Sequence, residues 1–164
     1  MLNEENLKDS WKELNRKSVP GVDKQTVKEY EENLEANIKD LNERLKRKAY
    51  HAKLVKRIYI PKANGKMRPL RLPATEDKLL QVCAARILNA IYEQDFLKCS
   101  YGYRMNIGAR DAIKDVTTAL QFGKYEYVVE ADIKGFFDNI KPGSLKCWKK
   151  ELTTTPLFGL SRNG

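Results

Sequence analysis

Histidine is nearly missing from this sequence: there is one, His51, in 164 residues, beside three cysteines, six prolines and nine glycines. One histidine cannot supply a Ser/His/Asp set with any specificity. Cys83, Cys99 and Cys147 have spacings that fit neither a zinc knuckle nor a disulfide framework, so a reduced, cytoplasmic setting is expected. No apolar run approaches the roughly 20 residues that cross a bilayer. The polar, acidic start MLNEENLKDS is unlike a secretory signal, which opens basic and then turns apolar. Lys62-Ala63-Asn64-Gly65-Lys66 has too few glycines for a nucleotide phosphate loop. Repeats and low-complexity tracts are absent too.

Acids are missing from one stretch in particular. Eleven Lys and Arg and no Asp or Glu lie between Arg44 and Arg71, whereas residues 4–43 hold eleven acids against seven bases. Overall, 31 Lys+Arg against 22 Asp+Glu give a net charge of +9. The basic block is interleaved with Tyr50, His51 and Tyr59. Cationic side chains attract phosphates and aromatic rings stack on unpaired bases, so the block points to a nucleic-acid partner. At 41% hydrophobic and 32% charged residues, the length suits one buried core with or without an appendage.

Hydrophobic spacing supplies the elements. Leu2, Leu7, Trp11 and Leu14 outline a short amphipathic helix, which Val19-Pro20-Gly21 breaks. Thr26 and Glu29 form a capping box. Val27, Tyr30, Leu34, Ile38, Leu41 and Leu45 continue it as one long helical stripe. Leu54–Ile60 and Met67–Leu72 read as the arms of a hairpin turning at Asn64-Gly65, with Pro73 closing the second arm. A helix over 75–94 carries a wide apolar stripe with Cys83 in the core, and another over 109–120 turns Ile113, Val116 and Leu120 inward. Tyr125–Ile133 reads as a strand buried on both faces around Val128-Val129, with a last helical turn or two beginning at Pro142.

Asp132 closes that strand. A carboxylate at the end of a buried strand must be paired, hydrogen-bonded or metal-bound, so it either holds a hard divalent cation against a substrate phosphate or caps the following turn. The pattern leaves both open. Asp138 reads as a turn or cap residue, and His51 as solvated or phosphate-facing.

Three segments, taken in order, resemble the opening motifs of bacterial reverse transcriptases of the group II intron maturase type. They are Gly21-Val22-Asp23 with the helix that follows, RIYIPKANGKMRPLRLPATEDKLLQ (57–81), and SYGYR (100–104) with VVEADIKGFFDNI (128–140). The resemblance spans about residues 19–152. It implies an α+β, incomplete right-hand polymerase fold: helical fingers with a β-hairpin, plus the first palm strand. Residues 1–20 would be an N-terminal helical extension, 21–124 fingers, 125–152 the start of the palm and 153–164 a divergent or truncated tail. By the same resemblance Asp132 is the first metal-binding carboxylate and catalytic acid, joined by the backbone carbonyl of Ile133. Phe137 is the steric gate under the dNTP sugar, and Lys62 and Arg68 hold the dNTP triphosphate.

The expected cofactor is Mg2+, in a complete enzyme. The expected partners are RNA (intron or template), a DNA primer and dNTP, without a membrane, in a bacterial cytoplasm. Arg44, Arg47, Lys53, Lys56, Arg57 and Arg104 are the expected RNA contacts. Two-metal transfer needs two cations about 4 Å apart, which one aspartate cannot hold. The family takes further carboxylates from a Tyr-x-Asp-Asp hairpin, and no such tetrad occurs here. The chain alone is therefore expected to be inactive, with a frameshift or premature stop behind its end and self-association through an exposed palm edge. Met105, Ile107 and Arg110, Arg71-Leu72-Pro73 and Lys141-Pro142 depart from the family pattern where template handling or palm support is implied. The alternative is a stand-alone basic RNA-binding module derived from the fingers; a DNA-binding fragment is a third reading.

Overall fold

The computed structural model describes residues 2–61, 65–136 and 139–140. The chain divides into two units, 1–97 and 98–164. Among the described residues it is a mixed α and β protein, with five helices and one two-stranded antiparallel sheet.

The first unit opens with α1 (Glu4–Glu13), capped by the Asn3 side chain, which accepts from the Asn6 N–H at 2.9 Å. The Thr26–Glu29 capping box forms as expected and starts α2 (Val27–Glu32). The long stripe is not one helix, however. Asn33, at φ −122° and ψ 34°, ends α2 and begins α3 (Leu34–Lys46). The break is satisfied locally, because the Asn37 side-chain amide donates to the Tyr30 carbonyl at 2.9 Å. The apolar period survives the break, since Leu7, Trp11, Leu14, Val27, Tyr30, Ile38 and Leu41 join Leu79 and Cys83 of α4 (Thr75–Tyr92) in one core. Cys83 is thus a core residue, as its place on the stripe implied.

Between α3 and α4 stands the hairpin, β1 (Lys56–Pro61) against β2 (Met67–Leu72), with its last registered pair at Pro61 and Met67. Gly65 takes φ +76°, the left-handed conformation that suits glycine at such a turn. Asn64, the other expected turn residue, lies outside the described residues.

The second unit departs further from expectation. Helix α5 (Ala109–Phe122) forms, with the Gly108 N–H donating to Asp111 at 2.8 Å, but it buries nothing. Ile113, Val116 and Leu120 are exposed rather than inward. Residues 125–133 take no regular secondary structure, and Val128 and Val129 are exposed, the latter at 90%. A strand is held by its neighbours' hydrogen bonds, and no strand among the described residues lies beyond the hairpin. Among the described residues the palm strand edge on which self-association was expected is not formed. The expected helix at Pro142 and the tail 153–164 lie outside the described residues. No described helix is long and apolar enough to cross a membrane.

Burial makes a pH prediction. The Tyr30 hydroxyl is buried without a hydrogen-bond partner, and burial raises its pKa; burial and then the Asp77 carboxylate do the same at Tyr50. Both phenols stay neutral in the folded protein after the unfolded chain begins to ionise near pH 10. The stability they contribute is whole below that pH and falls above it, by at most about 1.4 kcal/mol per pH unit per tyrosine. Thermal melts should hold steady from pH 7 to 9 and drop beyond 10, and Tyr30→Phe should flatten the drop.

Candidate nucleic-acid interface

Strand alternation sorts the hairpin's side chains onto two faces, and cross-strand partners share a face. Lys56, Ile58 and Ile60 stand opposite Leu72, Leu70 and Arg68. This face holds the hairpin's shielded residues, with Leu72 buried and Ile58 and Leu70 half-buried. The other face pairs Arg57 with Arg71, Tyr59 with Pro69 and Pro61 with Met67, and all six are exposed. Two arginines directly opposite one another repel, unless an anion lies between them. Tyr59, at 57% exposure, is the next residue along the same face of β1. The face thus presents two guanidinium groups and a ring within reach of a single stretch of polyanion. Arg68 lies on the other face, so the structure separates it from Arg57 and Arg71.

The remaining basic residues are distributed unevenly. Lys56 and Arg57 are exposed, and Arg47 makes an exposed i,i+4 pair with Glu43 at 3.3 Å, which costs little to exchange for a phosphate. Arg44, half-buried, is committed to partners within the fold. Its guanidinium grips Glu76 of α4 through two hydrogen bonds of 2.6 and 3.1 Å, reaches Asp40 at 2.7 Å and lies 5.9 Å over the Tyr50 ring. Hydrogen bonding to Glu76 raises its pKa further, so it stays charged throughout. Lys53 is paired with Asp23 at 3.0 Å, and its backbone N–H donates to Asp77 at 3.2 Å. Asp77 also accepts from the Tyr50 hydroxyl.

Sequence reasoning missed these three acids as organisers. The signal lies in the charge pattern, because Glu76 and Asp77 are the first acids after the acid-free block.

In the second unit, Arg104 donates to the Ser100 carbonyl at 2.8 Å, closing the SYGYR turn. Asp132 and Ile133 are exposed. Because the strand does not form, Asp132 is not a buried carboxylate and bears no desolvation cost that would demand a cation. Gly135, at φ +63°, turns the chain after it, and Asn139 returns its side-chain amide to the Gly135 carbonyl at 2.8 Å. Among the described residues no group of three or more His, Cys, Asp or Glu is placed to hold a metal ion. Lys62, Phe137 and Asp138 lie outside the described residues.

The family pattern for reverse transcriptase (RNA-dependent DNA polymerase) matches residues 60–161, more than half of the chain. The match takes in most of 153–164, the stretch expected to diverge. The chain belongs to the reverse transcriptase family, and within it resembles the group II intron-encoded type. It is 43% identical over 107 residues to the group II intron-encoded protein LtrA of Lactococcus lactis subsp. cremoris, covering 65% of this chain and 18% of the relative. Protein YkfC of Escherichia coli K12 is 32% identical over 125 residues, covering 74% of this chain and 33% of the relative. A 91 kDa protein in the cob intron of Schizosaccharomyces pombe is 38% identical over 85 residues, covering 52% of this chain and 10% of the relative. The chain therefore spans a third or less of the length of these relatives.

Proposed function

We propose that the chain supplies the fingers, over 21–124, and the start of the palm, over 125–152, of a right-hand RNA-directed DNA polymerase of a group II intron, with 1–20 as a helical extension. Its own contribution is to bind RNA through the hairpin. The observation that carries this reading is the exposed face on which Arg57 opposes Arg71 beside Tyr59, within a stretch that has no acid. The two guanidiniums can hold one phosphate from both sides. In this reading Lys62 and Arg68 at the tip serve the triphosphate of an incoming dNTP, with Phe137 under its sugar. Asp132 and the Ile133 carbonyl are this chain's share of a divalent, Mg2+-type centre that needs further carboxylates.

The test is titration of a fluorescent single-stranded RNA with this chain across a salt series. Affinity should fall steeply with salt, and Arg57→Ala with Arg71→Ala should lower the slope of log K against log salt by about 0.7, the value for the one single-strand phosphate they share. Asp132→Ala should leave RNA affinity unchanged. Absence of RNA binding at 50 mM salt would refute the proposal. The stand-alone module reading uses the same surface and gains no observation of its own.

A further inference from the structure

The hairpin is attached to the helices in an unusual way. Its strands pack against each other, and neither makes an extensive contact with a helix. Its orientation is set where the chain enters β1 and leaves β2, and one loop, residues 18–25, touches both places. At the entry, Asp23 pairs with Lys53 at 3.0 Å, the carboxylate largely shielded at 14% exposure. At the exit, Gly21 lies so close that a Cβ on it would sit 2.6 Å from the Ala74 nitrogen and 2.7 Å from the Pro73 carbonyl carbon. These are backbone atoms that cannot swing aside. Thr75 then donates from its hydroxyl to the Gln25 carbonyl at 2.8 Å, and Lys78 reaches back to the Ser18 hydroxyl at 2.6 Å and to the Val19 carbonyl. The loop has its own support: Lys24 turns at φ +59°, and Asp23 accepts from the Gln25 N–H at 3.3 Å, which aims the carboxylate.

We propose that loop 18–25 is a two-point latch that fixes the angle of the hairpin, with Asp23 as the positioning residue for the hairpin tip. Its functional meaning rests on the fingertip role proposed above for Lys62 and Arg68. The leverage is large: a six-residue arm is about 20 Å long at about 3.3 Å per residue, so a tilt of about 10° at the feet carries the tip through about 3 Å. A displacement of 1 Å in a group that aligns a reacting phosphate can cost about 100-fold in rate. Glycine at position 21 permits the close approach at one foot, and the Asp23–Lys53 pair closes the other.

The experiment is a pulsed electron–electron distance measurement between nitroxides at Met67→Cys, on the exposed end of β2, and Gln81→Cys, on the exposed side of α4. It uses the full chain with Cys99→Ser and Cys147→Ser, since Cys83 is buried and unreactive. The parent should give one narrow distance distribution. Asp23→Asn keeps an oxygen for the Gln25 N–H and loses only the charge, and the distribution should broaden at least about twofold while the core melts at an unchanged temperature. Lys53→Met should broaden it equally, and Lys53→Arg, which keeps the cation, should keep the narrow width. An unchanged width in Asp23→Asn, or equal broadening in Lys53→Arg, overturns the latch. The distance is read without nucleic acid, so failure of RNA binding would strike the polymerase reading and leave this result standing.

Discussion

Trp11→Ala should unfold the first unit at temperatures where the parent is fully native. Trp11 is buried at 2% exposure among α1, α2 and α3, with its ring stacked 5.2 Å from that of Tyr30 at an interplanar angle of 29°. The Arg16 guanidinium covers it at 4.9 Å, and the same arginine pairs with Glu31 at 2.7 Å. Truncation removes the largest apolar surface in the core and leaves a cavity, at a cost of about 3–5 kcal/mol. In a domain of this size that lowers the melting temperature by about 15–30 °C. Trp11→Phe keeps the stacking and gives up the long indole N–H bond to Glu31 at 3.4 Å, so its cost should be about 1 kcal/mol. Thermal melts followed by circular dichroism decide the matter. A loss below about 1 kcal/mol for Trp11→Ala would mean that α1 is not part of the core.

Arg44→Ala should destabilise the protein by about 2–3 kcal/mol and change RNA affinity less than twofold. The replacement strands Glu76, whose side chain is 13% exposed, and removes the cation over Tyr50. Breaking a pair from one side leaves the other charge poorly solvated, which is the costly way to lose it. Arg44→Lys should recover only part of the loss, because an ammonium cannot match the two-pronged contact with Glu76. Arg57→Ala should behave in the opposite sense. Its side chain is exposed on the hairpin, so stability should hold, while RNA affinity falls. The two variants, each carried through melts and RNA titrations, separate the basic residues that build the protein from those that present its surface. If Arg44→Ala weakened RNA binding as much as Arg57→Ala without loss of stability, the assignment of Arg44 to contacts within the fold would be wrong.

The basic block illustrates how far sequence reasoning reaches. Charge density, aromatic interleaving and the hairpin period were all legible, because each depends only on local order along the chain. Which basic residues are already paired within the fold was not, because Arg44 and Lys53 are bonded to Glu76 and Asp23, which lie 32 and 30 residues away. Asn33 shows the same limit within an element. The stripe from Val27 to Leu45 keeps its period through the break, so nothing in the spacing reveals that two helices share it. Asp132 shows the limit most clearly. Its position after Val128-Val129 reads as a strand end, but strand residues become a strand only when a neighbouring backbone accepts their hydrogen bonds.

The sequence by itself determined the family, the capping box at Thr26, the hairpin and its charge, since these follow from motif order, side-chain period and turn chemistry. Only the tertiary structure decided that Arg57 and Arg71 share one exposed face while Arg44 is locked against α4, and that one loop grips both feet of the hairpin. It also decided that Ile113, Val128 and Asp132 stand exposed among the described residues. The reason is physical: pairing and burial are set by what lies across space, and residues far apart in the chain meet only when it folds.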